Sequence, residues 1–216
     1  MKKNIIDFIK RNRVSTTELA DCMGKKGALK HVSPITRGQF AVGNLFYVYA
    51  YGGTNWDVHK QLEKVKDNDI VYIEVLNKKN KAIFGDLVAK YLILYRQVDA
   101  IVTNGLLRDA PRLIKEKWPV WCKGFTPVGY SNKQKKLTQE IQALIRKRQK
   151  KYSEAIIVCD DTGVIIIPKK YHTKKFLKKI KFIEKQEDLW FDAIDSKKLS
   201  TFQTVCLKKY KKEHSK

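Results

Sequence analysis

The chain has 216 residues and a mass of 25.2 kDa, enough for one domain with a sizeable hydrophobic core plus additional segments. Hydrophobic residues make up 43% and aromatic residues 11%, so most of the chain is neither disordered nor fibrous. No run approaches about 18 consecutive apolar residues, and the first residues lack the apolar core of an export signal. We therefore expect a cytoplasmic protein that does not enter a membrane and whose four widely spaced cysteines are reduced thiols.

The formal net charge of +23 is unevenly distributed along the chain. Residues 131–216 carry 23 basic and 10 acidic side chains, whereas the longer segment 1–130 carries 22 and 12. Such a charge can attract nucleic acid, but only eight of the 45 basic residues are arginines, which bind phosphates and bases better than lysines do. Two interpretations stay open: a solvated lysine surface, or contact of residues 131–216 with RNA or another polyanion.

Periodicity, capping and turn signals predict an alternation of strands and helices. The sequence Ser15-Thr-Thr-Glu18, for example, is a capping box that should begin a helix. In the first part of the chain, the predicted elements are a helix over 5–9, a helix over 15–23, a strand over 40–50, a helix begun by Thr54 or Asn55, a strand over 70–75 and a polar turn over 77–80. The middle part is predicted to form a short strand over 82–84, a helix over 87–95, a strand over 99–103, a helix capped by Asp109 and a short strand over 119–122. The last part is predicted to form a charged helix over 133–151, a strand–turn–strand unit over 155–167, a lysine-rich helix around 176–183 and a frayed tail over 208–216. This order predicts an α/β fold with a largely parallel sheet core.

The charged helix over 133–151 places Leu137, Ile141, Leu144 and Ile145 on one face among lysines and arginines. One interpretation is an amphipathic helix that packs on the body of the protein. The other is a helix that contacts RNA or a membrane surface.

Two loops that each follow a strand and open a helix form the best candidate site. In the first, Gly85 precedes Asp86, and the amides of residues 86–89 lie at a helix start, where unpaired N–H groups favour an anion. In the second, which begins at Gly105, Arg108 lies beside Asp109. Because ligands of parallel sheets bind outside the carboxyl ends of the strands, both loops should open onto one cleft.

The residue types of these loops suit a small acid and a metal ion. Arg108 can grip a carboxylate with two hydrogen bonds, and Asp86 and Asp109 suit a hydrated divalent cation such as Mg²⁺. Each loop also has a structural interpretation, because a Gly-Asp pair often caps a helix and an Arg-Asp pair is often an ordinary ion pair.

Several motifs resemble those of the RraA-like family, in the family's order, over roughly residues 12–170. The family includes metal-dependent 4-hydroxy-4-methyl-2-oxoglutarate aldolases, oxaloacetate decarboxylases and bacterial regulators of ribonuclease activity. The matching motifs are Thr17-Glu-Leu-Ala-Asp21, Asn55 before its helix, Gly85-Asp86-Leu87-Val88-Ala89, Gly105-Leu-Leu-Arg108-Asp109, Pro119-Val-Trp-Cys-Lys-Gly-Phe-Thr-Pro127 and Asp160-Asp-Thr-Gly163-Val-Ile-Ile-Ile-Pro168.

The resemblance implies a swivelling β/β/α domain over residues 1–170, with helices around a central mostly parallel sheet and the charged helix 133–151 as an insertion. A C-terminal helical extension would occupy residues 171–216, and the chain would assemble as a homotrimer or as two stacked trimers. The resemblance also implies site roles: Asp109 ligates Mg²⁺ or Mn²⁺, Asp86 holds a metal-bound water, and the group that binds a pyruvate-like carboxylate is Gly85, Asp86, Leu87, Val88, Ala89 and Arg108. We therefore expect a divalent-metal-dependent lyase, an aldolase or decarboxylase, that acts on an α-keto acid through a pyruvate enolate, with Arg108 and Asp86 as catalytic residues.

Two departures from the family pattern support a different role. Arg112 stands where lyase members usually carry an acid, and the charged helix replaces a strand region that normally precedes Asp160. The alternative is a non-catalytic scaffold or regulator that binds a ribonuclease, RNA or another protein.

Overall fold

Two β-sheets organise the described part of the chain, which is residues 1–77 and 80–214, with side chains to residue 211, of a computed structural model. The strands, in chain order, are β1 Ser33–Pro34, β2 Ala41–Ala50, β3 Asp69–Val75, β4 Ala82–Phe84, β5 Ala100–Thr103, β6 Leu106–Leu107, β7 Val120–Cys122, β8 Gly124–Phe125, β9 Ile156–Cys159 and β10 Val164–Ile167. The large sheet has the order β1-β7-β5-β3-β2-β9-β10, and the small sheet has the order β4-β6-β8. From β3 to β8 the chain alternates between the two sheets, and this alternation stacks them.

The centre of the large sheet is parallel, as the sequence predicts. Strands β7, β5, β3 and β2 pair in parallel, and so do the three strands of the small sheet. Antiparallel pairing is confined to the flanks, where β1 joins β7 and the β9–β10 hairpin joins β2. The mixed α/β architecture with a mostly parallel sheet is therefore confirmed.

The helices cover the outer faces of the sheets. In chain order they are α1 Lys2–Asn12, α2 Thr16–Cys22, α3 Trp56–Leu62, α4 Asp86–Lys90, α5 Ala110–Lys115, α6 Gln139–Tyr152 and α7 Lys174–Asp195. Short π-helical segments cover Tyr91–Tyr95 and Phe202–Cys206, and 3₁₀ turns cover Lys169–Tyr171 and Lys209–His214. Within the described residues, no helix has both the length and the apolar character needed to cross a bilayer.

Strand β3 shows how the two faces of the large sheet are separated. Because successive side chains of a strand point to opposite faces, Val71 and Ile73 pack towards the small sheet, whereas Tyr72 packs on the other face with Tyr152 of α6. A third cluster joins α1, α2 and α7 to β9 and β10. Phe176 and Ile180 are buried in this third cluster, so the helix after residue 171 packs against the N-terminal helices. The division into a domain over 1–170 and an extension over 171–216 stays a prediction.

Several element boundaries differ from the sequence prediction for local reasons. The charged helix begins at Gln139 rather than near residue 133, because the Thr138 hydroxyl accepts the Ile141 N–H and caps it there. The predicted helix over 87–95 changes from α to π after Lys90. The tail predicted to fray from Lys208 forms a 3₁₀ turn up to His214, with Tyr210 buried. The predicted turn over 77–80 includes Lys78 and Lys79, which lie outside the described residues, as do Ser215 and Lys216.

Candidate active site

The two loops singled out in the sequence meet at the end of the small sheet. β4 ends at Phe84 and β6 ends at Leu107, and because these strands are parallel, the segments after them emerge on the same side. The Arg108 N–H donates to the Phe84 carbonyl oxygen over 3.1 Å and ties the two segments together. The rule that both loops open at the carboxyl ends of parallel strands therefore holds here.

Asp109 stands at the N-terminal end of α5, where the sequence predicts it, but its side chain does not cap that helix. Its backbone is left-handed, with φ at 60°, a conformation that aspartate tolerates better than most residues do. The carboxylate points to the other loop, and Oδ2 accepts the Asp86 N–H at 3.3 Å. Asp109 thus joins the start of α5 to the start of α4.

Two glycines leave the space that Arg108 and Asp109 occupy. A Cβ at Gly85 would lie 1.9 Å from Asp109 Oδ2 and 2.9 Å from Arg108 Cγ. A Cβ at Gly129 would lie 2.9 Å from Arg108 Nη1. The guanidinium and the carboxylate therefore pack against bare backbone on two sides, and any larger residue at Gly85 would displace them.

At this position, the negative charges of two aspartates are balanced by the positive charges of two arginines. Arg108 Nε lies 3.5 Å from Asp109 Oδ2, and Arg112 Nη1 donates to Asp86 Oδ2 over 3.2 Å. The Arg108 and Arg112 side chains are 50% and 58% exposed. Ion pairs with this exposure contribute little free energy, about 0–1 kcal/mol, so an anionic ligand can compete for either guanidinium.

Three of these side chains, those of Asp86, Arg108 and Asp109, line a cavity of about 340 Å³, whereas Arg112 pairs with Asp86 from outside the lining. That volume suits a small ligand of the size of a keto acid. Of the residues predicted to bind substrate or metal, those that line the cavity are Gly85, Asp86, Leu87, Val88, Arg108 and Asp109. Ala89 does not: it is fully buried, and its N–H donates to the Gly85 carbonyl oxygen over 3.3 Å.

Fewer backbone amides can bind an anion than the sequence predicts, because two of the four amides of residues 86–89 already donate hydrogen bonds within the protein. The Asp86 N–H is taken by Asp109 and the Ala89 N–H by Gly85. The Leu87 and Val88 N–H groups lie at the second and third positions of α4, where a helix supplies no acceptor of its own. These two amides, rather than all four, remain as candidates for binding a ligand.

Sequence reasoning missed part of the cavity wall. Asn55, His59, Tyr130 and Asn132 also line it, and Asn55 Oδ1 is buried without a hydrogen-bond partner among the described residues. Asn55 carried a signal, because it belongs to a family motif, but the sequence assigned it only to a helix start. In the sequence, His59 has no partner at metal-ligand spacing, and Tyr130 carries no signal.

Tyr130 closes one side of the cavity as a neutral group. Its hydroxyl donates to the Asn77 carbonyl oxygen over 3.1 Å, and burial raises the pKa of Tyr130 to about 12. At neutral pH the phenol therefore keeps its proton, and it does not act as a general base.

The donor set fits a lightly coordinated divalent cation. Within the residues that the structure describes, no group of three or more His, Cys, Asp or Glu side chains could enclose a metal ion. Mg²⁺ often binds through one or two carboxylates and keeps several waters. Asp109 and Asp86, two carboxylates on one cavity, match that mode of binding, although each also contacts an arginine.

Comparison with known proteins identifies the family that this geometry resembles. A family model described as "RraA-like: Aldolase/RraA" matches residues 16–166. The matched region includes both loops of the cavity and the first seven residues of the Asp160–Pro168 motif.

Solved structures agree at the level of the fold. An uncharacterized protein from Pseudomonas syringae pv. tomato aligns with a TM-score of 0.69 and 19% identity, over 90% of this chain and 93% of its own. RraAS2 of Streptomyces coelicolor, described as an unusual member of the RNase ES inhibitor RraA family, has a TM-score of 0.63 and 18% identity over 86% and 92%. The RNA-processing inhibitor RraA from Thermus thermophilis has a TM-score of 0.56 and 16% identity over 71% and 92%. At these identities the likeness concerns architecture alone.

Proposed function

This chain belongs to the RraA-like family, which includes both aldolases or decarboxylases and ribonuclease inhibitors, and from that premise we propose that it is a divalent-metal-dependent lyase acting on an α-keto acid. The observation that carries the proposal is the meeting of Arg108, Asp109 and Asp86 on one cavity of about 340 Å³. A guanidinium, two carboxylates and two helix-start amides are the groups needed to hold a small acid beside a cation.

Arg108 binds the substrate carboxylate in this proposal. Its side chain lies against Gly129 and is half exposed, so its N–H groups can turn from Asp109 to a ligand at little cost. A fork of two parallel N–H groups matches a carboxylate and fixes its orientation. The Leu87 and Val88 amides add a partial positive charge on the α4 side of the cavity.

Arg112 favours a substrate with a second acidic group. It pairs with Asp86, which lines the cavity, and its side chain is 58% exposed. A keto acid with two carboxylates could engage Arg108 with one and Arg112 with the other, and the second contact would free Asp86. Oxaloacetate is a small compound of this class, and its β-carboxylate can leave as carbon dioxide.

Asp109 would hold the divalent cation, and the cation would supply a Lewis acid at the keto oxygen. In a decarboxylation, the bond between the β-carbon and its carboxylate breaks, carbon dioxide leaves, and the electron pair passes to the enolate of pyruvate. Arg108 keeps the remaining carboxylate in place during this change. Asp86 would hold the water that returns a proton to the former β-carbon.

The test is release of pyruvate from oxaloacetate in the presence of MgCl₂, measured by a coupled dehydrogenase assay. The wild-type chain should exceed the rate of metal alone, and Arg108→Ala should lower kcat/KM by about 100-fold or more, because it removes a charged bidentate contact. Arg146→Ala is the matched control, since Arg146 is an exposed arginine on α6 that does not line the cavity. A wild-type rate equal to the metal background, or equal loss in both variants, would refute the proposal.

Self-assembly is part of the proposal and rests on an exposed apolar face next to the cavity. The side chains of Leu87, Leu94 and Tyr95 are 74%, 54% and 72% exposed, on α4 and the π-helical segment that follows it. Large apolar residues exposed close together in the chain are candidates for an interaction site. Light scattering should give about three or six times the chain mass of 25.2 kDa, and Leu94→Glu should give the monomer; a wild-type monomer would contradict this part.

A non-catalytic regulator is the second candidate, and the Arg112–Asp86 pair favours it. That pair occupies one of the two carboxylates, and together with the Arg108–Asp109 pair it leaves these four side chains with no net charge. If the chain regulates RNA processing through its basic segment, then RNA binding should fall steeply with salt. Replacing the exposed Arg146, Lys147 and Lys150 by glutamate should weaken binding without removing α6, whose buried contacts are Ile145 and Tyr152. Binding that is absent, or independent of salt, would exclude the RNA version.

A further inference from the structure

A second cavity lies on the opposite face of the large sheet, and we propose that it binds a small phosphorylated compound that also carries hydroxyl groups. It has a volume of about 600 Å³ and shares no lining residue with the first cavity. Its walls come from the ends of β3, β5 and β7, from the loop before β1 and from α6. The polar residues that line it are Lys30, His31, Glu74, Asn104, Lys123, Arg148 and Lys151.

The fold places this cavity at a favourable position for a ligand. Glu74 is next to the last residue of β3, and Asn104 and Lys123 directly follow β5 and β7. These three strands are parallel neighbours, so their carboxyl ends share one edge, where α/β sheets bind ligands. Glu74 and Tyr72 point away from the small sheet, because they alternate with Ile73 and Val75.

The floor of the second cavity is a buried carboxylate with ordered partners. Glu74 is only 6% exposed, and its Oε2 accepts the Tyr47 hydroxyl at 2.8 Å. Arg148 Nε lies 3.4 Å from Glu74 Oε1, within ion-pair distance, yet it is buried and makes no hydrogen bond among the described residues. A buried carboxylate needs such hydrogen-bonding and charged partners. Glu74 and Arg148 keep hydrogen-bonding capacity that these contacts do not use, and a ligand hydroxyl can bind to it.

Three tyrosines that contact one another in tilted and edge-to-face arrangements hold this floor in place. Tyr47, Tyr72 and Tyr152 contact one another with ring centroids 5.1–6.2 Å apart. Tyr152 is one helical turn after Arg148 on α6, so a single helix face delivers both the ring and the guanidinium. Helix α6, which the sequence predicts as a charged amphipathic helix, therefore forms one wall of a cavity.

The rim carries the positive charge. Lys30, Lys123 and Lys151 are exposed, and none of them forms an ion pair with a carboxylate among the described residues. Glu74 and Arg148 offset each other, so the three lysines leave a net charge of about +3 around the opening. Lysines bind phosphate as point charges, and the anion stays at the rim because Glu74 would repel it from the floor.

This division of charge selects the class of ligand. A phosphate at the rim and a hydroxyl donor at the floor describe a sugar phosphate or a related compound, and a recess of this volume accommodates one small molecule. An RNA strand would contact the lysines of the rim but would not reach the buried carboxylate of Glu74 at the floor. The inference is independent of the proposed lyase activity, because the two cavities lie on opposite faces.

Isothermal titration calorimetry of the full chain with ribose 5-phosphate, inorganic phosphate and ribose tests the inference. Ribose 5-phosphate should bind saturably and more tightly than either of the other two probes. The double variant Lys123→Ala/Lys151→Ala should weaken binding at least about tenfold, because it removes two charged contacts. Lys175→Ala/Lys178→Ala, on the exposed face of α7, loses the same charge and should bind like the wild type.

The outcomes separate specific binding from general attraction. Equal weakening in the two double variants, no saturable heat with ribose 5-phosphate, or binding of an RNA oligonucleotide only would overturn the inference. Glu74→Gln tests the floor: it should reduce the preference for ribose 5-phosphate over inorganic phosphate. An unchanged preference in a variant that still melts cooperatively would remove the role assigned to Glu74.

Discussion

Replacing Gly85 by alanine tests the geometry of the candidate active site most sharply. The backbone of Gly85 is extended, with φ at −138°, so alanine adopts it without strain and the effect is steric. The new Cβ would lie 1.9 Å from Asp109 Oδ2, and real contacts of this type are not shorter than 3.0 Å, so the carboxylate must move by at least about 1.1 Å.

The size of the effect follows from the contacts that this movement breaks. Asp109 would lose the 3.3 Å hydrogen bond from the Asp86 N–H and the 3.5 Å ion pair with Arg108. The first is long and partly exposed and contributes about 1 kcal/mol, and the second contributes about 0.5 kcal/mol. We expect Gly85→Ala to lower the free energy of unfolding by about 1–2 kcal/mol and kcat/KM for oxaloacetate by about 100-fold, since a shift of about 1 Å in a reacting group has that effect.

A double-mutant cycle isolates the contact. Asp109→Gly removes the carboxylate and suits the left-handed backbone at that position, so Gly85→Ala should cost about 1 kcal/mol less in this background. Urea denaturation of the four proteins measures the difference. Gly43→Ala serves as a control at a tight glycine that does not line the cavity: its Cβ would lie 3.2 Å from the Asn68 carbonyl oxygen, and its cost should be the same with and without the Asp109 carboxylate. A Gly85→Ala cost that is the same with and without the Asp109 carboxylate would refute the reasoning.

Three further predictions concern stability and thiol chemistry. Asp160→Ala should lower the free energy of unfolding by about 2–3 kcal/mol in urea, because its carboxylate accepts four hydrogen bonds, two of them from Thr16, and an unchanged midpoint would contradict this. Tyr47→Phe should cost about 1–3 kcal/mol in the same assay, because it leaves the buried Glu74 carboxylate without its hydroxyl donor; a loss below about 0.5 kcal/mol would argue against that contact. One thiol, Cys206, should react quickly with Ellman's reagent in the native protein because it is exposed, whereas the buried Cys22, Cys122 and Cys159 should stay slow even at about pH 9, since burial raises the pKa of Cys22 and Cys122 to about 11 and raises that of Cys159; fast release of a second native thiol would show that the core opens.

Local features of the fold were predictable because their causes lie within a few residues. The Ser15–Glu18 capping box forms both of its reciprocal bonds: Ser15 Oγ accepts the Glu18 N–H, and Glu18 Oε2 accepts the Ser15 N–H. The strands around Val48, Ile73 and Val102 were predictable in the same way, from β-branched and aromatic runs.

Features that depend on distant contacts were not predictable from one sequence. Gly129 is needed only because Arg108, 21 positions earlier, lies against it, and no signal near Gly129 indicates this. The Arg112–Asp86 ion pair likewise depends on the two loops lying next to each other in the fold, and the sequence alone does not indicate that the two residues pair. The Asp109 carboxylate was predicted to cap α5, but it contacts Asp86 instead, since its left-handed backbone turns the side chain to the other loop.

The second cavity shows the same limit. Glu74 is the one acid within an otherwise apolar run, Ile70–Val75, and that run predicts only a buried strand. Its partners Tyr47 and Arg148 are 27 and 74 positions away, so the sequence does not show that the charge is satisfied. A buried acid at the carboxyl end of a parallel strand is the signal that could have indicated a site.

A crystal structure of the chain with MgCl₂ and oxalate, an unreactive analogue of the pyruvate enolate, tests the central claim most directly. The account predicts oxalate in the first cavity, with one carboxylate on Arg108 and a cation bound by Asp109. Oxalate and the cation at other positions, or a cavity in which Arg108 still pairs only with Asp109 at saturating concentrations of both, would contradict it.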